Sequence, residues 1–413
     1  MKTKVLLVAY GGGHAPMLVP VYRLLAASDY FEPTFLGLTT AVAVLERASI
    51  PHIRFLDLVE PGDDAALAWG RKLAERLPAG QMKVDPDETI AYLGLSYSDL
   101  VGQLGEAGAA EAFQARGRQA LLPLATMERL FRRLQPGLVI TTNSPRAEQA
   151  AILTARKLGV PALCLVDLFG EPDVRYVGKP GYADRLCVLS DYTKQFLVAA
   201  GRMPEEIVVT GNPAFDRWAD SGLATRALEL RHRNGWHAKK VLVWASQPEP
   251  APNGELPRQV DQELFRILRR QPEWHCVIRP HPSETVEYTE LPVNASISTQ
   301  DDDLGSLVAA ADLLITFNST LGLEAFMIGK PVVTVDLSVQ CQYLPYSKLG
   351  ISTGVDRLDR LEQGIQQALT VPRVSGMSIP PPGNAADRVL QVAVELVGRS
   401  QTSQTDRVGD NRQ

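Results

Sequence analysis

The sequence predicts an α/β protein built from two doubly wound parallel sheets. Short apolar runs rich in Val, Ile and Leu alternate with segments of helical spacing along both halves of the chain. Polar residues follow several of these runs directly, as they do at the carboxyl ends of strands in a parallel sheet, where ligands bind. With 413 residues, the chain is long enough for two domains that each bury a core.

The composition is that of a globular protein without a strong attraction to nucleic acid. Hydrophobic residues make up 45% of the chain, charged residues 22%, and the net charge is -5. No apolar run approaches the roughly 18 residues of a membrane helix, and nothing at the N-terminus resembles a signal peptide. We therefore expect a cytoplasmic protein. Its basic clusters are also compatible with a peripheral contact at the inner face of the membrane. Three of the four cysteines lie in apolar runs and are expected to be reduced core residues: Cys164, Cys187 and Cys276.

The first predicted strand spans residues 5–9, and a glycine-rich turn follows it. The turn reads Gly-Gly-Gly-His and ends at His14, and a helical pattern begins after it. The dinucleotide-binding fingerprint fails, because Pro16 stands where its third glycine should be. From the sequence alone, His14 is a candidate capping residue at the start of this helix.

The first domain is predicted to span residues 1–213. A helical stretch at about 60–135 is too long for an ordinary crossover between strands, which indicates an insertion that shapes an acceptor pocket or a homodimer contact. Asp167 and Glu171 follow another predicted strand and belong to the same functional edge. The remaining strands of this domain are predicted at 35–38, 53–56, 138–142, 161–166, 184–189 and 207–209.

The second domain, predicted at 214–383, contains two polar loops that interrupt buried strands. Arg279 and His281 lie in the Arg-Pro-His-Pro-Ser-Glu loop, where a guanidinium and an imidazole could serve a diphosphate. Asn318, Ser319 and Thr320 precede a helix, whose N-terminal N–H groups favour phosphate. Each loop alone is better explained by a structural histidine or a helix cap, but together they favour a phosphate site.

An acidic run at residues 300–303 precedes the helical pattern 304–311 and is interpreted as a helix cap rather than a metal site. Ser246 follows the strand 240–245 and joins the predicted phosphate-binding set. Residues 384–399 are predicted to form a final helix, and the polar tail 400–413 is predicted to be disordered.

Arg-Pro-His-Pro at 279–282, Leu-Gly-Leu-Glu-Ala at 321–325 and Gly-Lys-Pro-Val at 329–332 resemble the nucleotide-binding half of GT-B glycosyltransferases. The nearest likeness is to capsule and wall-polymer enzymes: polysialyltransferase-like, Kdo-transferase-like and CDP-glycerol glycerophosphotransferase-like proteins. UDP-N-acetylglucosamine 2-epimerases share the layout. Their His-Arg-Arg-Glu run is absent from the loop after residue 245, which weakens the epimerase interpretation.

The resemblance implies two Rossmann-like domains facing a cleft, with the nucleotide in the second. By position, His281, Ser319 and Thr320 would contact the donor phosphates and Glu324 the ribose. His14 would point at the reaction centre, and the final helix would cross back to the first domain. The turn between the domains would contain Gly211, Asn212 and Pro213.

Together these patterns predict a metal-independent glycosyltransferase of surface polysaccharide or glycoconjugate synthesis, with no cofactor besides its nucleotide-sugar substrate. The donor would be CMP-, CDP- or UDP-linked, and the acceptor a glycan, lipid or protein. His281 would stabilise the departing phosphate. Asp167, Glu171 and His14 are candidates for the base that deprotonates the acceptor, and the sequence does not choose among them. The alternatives are a UDP-N-acetylglucosamine 2-epimerase-like isomerase and a non-catalytic nucleotide-sugar-binding protein.

Overall fold

The computed structural model of the protein describes residues 2–11, 13–77, 85–299, 302–342, 344–371 and 377–410. The chain forms two compact units. The first comprises Met1–Asp216 and Asn384–Gln413, and the second comprises Arg217–Gly383.

The first unit is built on a seven-stranded sheet with helices between the strands. The strands are β1 (Thr3–Ala9), β2 (Phe31–Gly37), β3 (His52–Ile53), β4 (Leu138–Thr142), β5 (Ala162–Leu165), β6 (Arg185–Val188) and β7 (Ile207–Val209). The helices are α1 (Ala15–Ala27), α2 (Thr40–Arg47), α3 (Asp64–Ala74), α4 (Pro86–Arg116), α5 (Leu124–Leu134), α6 (Ala147–Leu158), α7 (Val174–Val177) and α8 (Asp191–Ala199). Helices α3 to α5 occupy the predicted insertion.

The second unit is built on a six-stranded sheet. Its strands are β8 (Lys240–Ala245), β9 (Trp274–Arg279), β10 (Ala295–Ile297), β11 (Leu313–Thr316), β12 (Val332–Val335) and β13 (Thr353–Val355). Its helices are α9 (Leu223–Arg233), α10 (Leu256–Leu268), α11 (Leu304–Ala310), α12 (Thr320–Met327) and α13 (Leu361–Thr370).

Both sheets are parallel and each reverses its strand order once. The orders are β3-β2-β1-β4-β5-β6-β7 and β10-β9-β8-β11-β12-β13. Read from the first strand of each unit, both contain the 3-2-1-4-5-6 arrangement of the Rossmann fold. The prediction of two Rossmann-like, doubly wound domains is therefore confirmed.

The continuous apolar sequence of β1 reflects a strand that is covered on both faces. Leu6 and Val8 enter one hydrophobic core, and the alternate residues Val5 and Leu7 enter the other. Each fully buried Leu or Val contributes about 1.5–3 kcal/mol of transfer free energy. This burial holds the loop after β1 on a rigid strand.

The predicted third strand, 53–56, is wrong in its second half. The structure has only His52–Ile53 in the sheet, and a short 3-10 helix begins at Leu56. The buried Glu88 carboxylate accepts the backbone N–H groups of Phe55 (3.2 Å) and Leu56 (2.9 Å), which replaces the ladder hydrogen bonds. Strands β10 and β13 were not predicted, because three-residue edge strands carry no recognisable apolar run.

The last helix, α14 (Ala385–Asp410), belongs to the first unit. The Asp216 carboxylate accepts the N–H groups of Ala385 (3.0 Å) and Ala386 (2.9 Å), which caps its start. Val389 and other apolar residues of α14 share a core with α1. The tail 400–413 was predicted to be disordered, but the helix continues to Asp410, and these polar residues include helix formers such as Gln and Arg. Residues 411–413 lie outside the described residues. Among the described helices, none is long and apolar enough to cross a membrane.

Candidate functional sites at the two sheet edges

Each sheet has one topological switch point at its carboxyl edge. In the first unit it lies between β1 and β4, and in the second between β8 and β11. Loops that leave neighbouring strands in opposite directions open a crevice there, and open α/β sheets bind their ligands in it. A predicted site residue is therefore better placed to contact a ligand the closer its strand lies to one of these two points.

His14 lies at the switch point of the first unit, directly before α1. Its Nδ1 atom is 2.7 Å from the hydroxyl of Thr142, at the end of β4. That hydroxyl is 3.4 Å from Oε1 of Glu148, which also accepts the backbone N–H of Tyr10 (2.6 Å). His14 has no side-chain capping hydrogen bond to α1, so the helix-start interpretation explains its position but not its contacts.

Asp167 follows β5, the next strand beyond β4. Its backbone N–H donates to Oδ1 of Asn143 (2.9 Å), whose amide donates to Asp173 (2.6 Å). Burial raises the pKa of Asp167, and the charge of His14 opposes that rise. His14, Asn143 and Asp167 thus form a row across the ends of three adjacent strands.

Two other groups predicted in this unit lie further along the chain. Glu171 accepts a hydrogen bond from the hydroxyl of Tyr192 (2.8 Å), which commits one carboxylate oxygen to α8.

The predicted hinge follows β7. The amide nitrogen of Asn212 lies 3.5 Å from Oδ1 of Asp167. Gly211 has φ +78°, which favours glycine, and Pro213 begins a 3-10 helix that runs past the boundary at Asp216. The hinge role of 211–213 stays a prediction.

Sequence reasoning missed the residues that surround His14. Thr142 and Glu148 are fully buried, and burial raises the pKa of Glu148 while His14 opposes it. Arg146 stacks over the ring of Tyr10 at 4.3 Å, and its Nε has no hydrogen-bond partner in the part of the chain that the structure describes. In the sequence, these residues are marked only by the polar run that follows β4 and by a glutamate in the first turn of the next helix.

In the second unit, the loops after β8 and β9 are tied to one another. The Ser246 hydroxyl donates to Glu284 (3.0 Å) and accepts from Arg258 (3.0 Å), which also pairs with Glu284 at 3.2 Å. The other oxygen of Glu284 accepts the backbone N–H of His281 (2.8 Å). Ser246 and Glu284 therefore shape the loop that carries the His-Pro motif.

Arg279 and His281 have different surroundings. Arg279 is buried and donates to the hydroxyl of Ser298 (2.9 Å), towards β10; burial lowers its pKa, and Asp302 opposes that shift. His281 is exposed, and its Nδ1 lies 2.7 Å from the hydroxyl of Ser283 in its own turn. The phosphate roles of both residues stay predictions.

Asn318, Ser319 and Thr320 lie at the switch point, where α12 begins. Ser319 caps the helix by accepting the N–H of Leu321 (3.2 Å), while Thr320 is exposed. Asn318 donates from its backbone to Gln247 (3.2 Å), and its buried Oδ1 has no partner among the described residues. This helix end presents backbone N–H groups and a hydroxyl to the crevice.

Glu324 lies one turn into α12 and is almost fully buried. Its Oε2 accepts hydrogen bonds from the guanidinium of Arg217 and from the indole N–H of Trp218. A cavity of about 280 Å³ adjoins these two donors. The larger cavities of this unit, of about 560 and 700 Å³, lie along β10 and at its amino-terminal approach, away from the switch point.

The acidic run before α11 acts as a helix cap. Asp303 accepts the N–H groups of Gly305 (3.1 Å) and Ser306 (3.3 Å), which confirms the prediction for this residue, whereas Asp301 lies outside the described residues. Within the described ranges, no group of three or more His, Cys, Asp or Glu side chains could hold a metal ion.

Burial raises the pKa of Cys187 and Cys276 to about 12, as expected for core thiols.

No protein-family model and no curated protein matches the sequence. Solved structures do match along nearly the whole chain. The UDP-GlcNAc 2-epimerase from Neisseria meningitidis, bound to UDP-GlcNAc, has a TM-score of 0.59 at 14% identity and covers 95% of this chain and 100% of its own. The UDP-GlcNAc 2-epimerase from Methanocaldococcus jannaschii has a TM-score of 0.58 at 13% identity, covering 96% and 100%. The glycotransferase of kitacinnamycin has a TM-score of 0.54 at 14% identity, covering 100% and 99%. At these identities the likeness shows the fold, and the chain has the GT-B fold.

Proposed function

We propose that the protein transfers a sugar, or a related polyol phosphate, from a nucleotide donor to an acceptor hydroxyl without a metal ion. The observation that carries the proposal is the start of α12 at the switch point of the second sheet. Ser319 and Thr320 stand at this helix end, and the carboxylate of Glu324 follows one turn later. A helix N-terminus suits a diphosphate, and a carboxylate at that distance suits ribose hydroxyls.

On the donor side, the second unit supplies groups that act as charge develops on the leaving phosphate. The N–H groups and dipole of α12, with the hydroxyl of Thr320, stabilise that charge electrostatically. His281 is exposed and could donate from Nε2 while Nδ1 stays with Ser283. Such donors contribute more to the transition state than to the bound substrate, so they raise kcat.

On the acceptor side, we assign the base to His14, with Asp167 as its neighbour. The acceptor hydroxyl gives its proton to His14 as its oxygen bonds to the donor's reacting carbon or phosphorus, and the bond to the nucleotide phosphate breaks. Glu171 suits this task less, because Tyr192 donates to its carboxylate.

The second candidate is a UDP-GlcNAc 2-epimerase-like isomerase, which needs no acceptor. It is favoured by the match to enzymes of that name along most of the chain. The residues after β8, beginning Ser246-Gln247-Pro248, do not carry the His-Arg-Arg-Glu run expected of the epimerases, which favours the transferase.

Two measurements on the purified full chain separate these functions. Thermal shift with CMP, CDP, UDP and GDP identifies the nucleotide class, and we expect one of them to raise Tm. Incubation with the corresponding nucleotide sugar, with and without an acceptor, then reports turnover by release of the nucleotide. Release that needs the acceptor and survives a chelator supports the proposal. Conversion of UDP-GlcNAc alone to its 2-epimer supports the isomerase, and binding without turnover supports a non-catalytic protein.

A further inference from the structure

The hydrogen bonds around His14 form a chain that reaches the interior of the first unit. Nδ1 of His14 contacts the Thr142 hydroxyl at 2.7 Å, and this hydroxyl contacts Oε1 of Glu148 at 3.4 Å. Oε1 also accepts the backbone N–H of Tyr10 at 2.6 Å. Thr142 and Glu148 are both 0% exposed, so water does not compete for these contacts.

The direction of the chain follows from proton counting. The backbone N–H of Tyr10 can only donate, and its short contact with Oε1 of Glu148 marks this oxygen as the better acceptor of the carboxyl group, which the hydroxyl oxygen of a protonated acid is not. If the carboxyl is protonated, the proton sits on Oε2. The single hydrogen of Thr142 therefore points to Oε1, and its lone pair accepts from His14. Nδ1 of His14 must then carry a hydrogen, which leaves the lone pair on Nε2 when the ring is neutral.

We propose that Thr142 and Glu148 are positioning residues, which hold His14 in the Nδ1–H tautomer and make Nε2 the atom that takes the acceptor proton. This inference rests on the proposed function for its catalytic consequence. The tautomer itself depends only on the first unit. Glu148 acts as a hydrogen-bond acceptor, so the amide oxygen of glutamine at this position should preserve the chain.

The test combines ring-nitrogen NMR with kinetics on the full chain. The protein has six histidines, and His14→Gln assigns the His14 signals in a ¹⁵N-labelled sample. At about pH 8, where an ordinary imidazole is neutral, we expect the Nδ1–H tautomer in the native protein. Thr142→Val should shift the ring towards Nε2–H and lower kcat by about 10- to 100-fold with a smaller change in KM.

The neighbouring threonine provides the matched control. Thr141 is equally buried, and its hydroxyl is not part of the hydrogen-bond chain from His14 through Thr142 to Glu148. Thr141→Val should keep both the tautomer and kcat, so it separates loss of a buried hydroxyl from loss of the chain. Thr142→Ser and Glu148→Gln should also keep them, whereas Glu148→Leu should behave like Thr142→Val.

The proposal is overturned if native His14 is the Nε2–H tautomer, or if Thr142→Val matches Thr141→Val in both measurements. If Thr142→Val fails to fold, the comparison of Glu148→Leu with Glu148→Gln decides the same question. The NMR arm needs no substrate. A native protein with the expected tautomer but no turnover with any donor therefore contradicts the proposed function and leaves the tautomer assignment intact.

Discussion

Each unit places a histidine after a parallel strand, yet the two rings have different neighbours. His14 follows β1, which pairs with β4 across the switch point, and Thr142 at the end of β4 reaches its ring. His281 follows β9, which lies one strand away from the switch point between β8 and β11. Its ring finds its partner in its own turn, at Ser283. Strand order therefore explains why the ring of His14 contacts a side chain from another strand, whereas the ring of His281 contacts a residue of its own turn.

The largest expected effect is on His14. If it is the base, His14→Asn should lower kcat by about 10² to 10⁴-fold and change KM little, because proton transfer occurs only in the reaction. His52→Gln is the matched control: its ring is also half-buried in the first unit, and Nδ1 lies 2.9 Å from a backbone carbonyl oxygen, that of Ile50. Equal activity of the His14 and His52 variants would remove the distinction between a base and a packed ring.

A buried acid of the first unit, Glu88, should make the stability of the protein depend on pH. Burial raises the pKa of Glu88 from 4.5 to about 7, while the N–H groups of Leu56 and Phe55 oppose the rise. A group whose folded-state pKa is raised stabilises the native state fully below the unfolded pKa, and that contribution is lost as the pH rises through the folded pKa. The loss between about pH 4.5 and 7 amounts to at most about 3.5 kcal/mol, since one pKa unit is worth about 1.4 kcal/mol.

Glu88→Gln removes this titration. A neutral amide resembles the protonated carboxyl group, so urea unfolding should show the variant close to the native protein in stability at pH 5. At pH 8 the native carboxylate is charged and buried, and the variant should be the more stable protein. The amide also loses one acceptor for the Phe55 or Leu56 N–H, which costs about 1 kcal/mol at every pH. A stability difference that is the same at both pH values would contradict a raised pKa of Glu88 in the native state.

His281→Ala tests the exposed ring of the comparison. If Nε2 donates to the departing phosphate, turnover should fall roughly a hundredfold while donor binding changes less and Tm is kept, because an exposed loop residue adds little to the core. If the ring only supports the turn with Ser283, Tm should fall and the folded protein should keep its activity. Steady-state kinetics and a melting curve on this one variant distinguish the two roles, and Ser283→Ala reports the cost of the turn alone.

The sequence predicted the fold well because buried parallel strands are continuous apolar runs, as at β4 and β8. It could not predict local structure that depends on distant partners. At Phe55, for example, the backbone N–H donates to the carboxylate of Glu88, 33 residues away, instead of to a neighbouring strand. It placed His14 and Asp167 on one edge, since both follow strands. Thr142 and Glu148 were missed because only the β1–β4 pairing brings them to His14, and a threonine inside a strand has no functional signal of its own.

The smallest expected effect separates a ligand carboxylate from a structural one within the second unit. Glu324 accepts from Arg217 and Trp218 through Oε2, while Asp261 accepts from Trp244 (2.8 Å) and Tyr288 (3.0 Å). Both carboxylates are nearly buried, and each contacts an indole N–H.

In Glu324→Gln, the amide oxygen should take the place of Oε2, because Arg217 and Trp218 can only donate. The amide nitrogen then replaces Oε1 and cannot accept from a ribose hydroxyl. We expect the Kd of the nucleoside monophosphate to rise about tenfold, which is about 1.4 kcal/mol, with stability within about 1 kcal/mol of native. Asp261→Asn should instead lower stability and leave that Kd unchanged, as measured by calorimetry on both variants. Unchanged affinity in Glu324→Gln would mean that its carboxylate serves only to fix Arg217 and Trp218, and the ribose contact would have to come from another residue of the second unit.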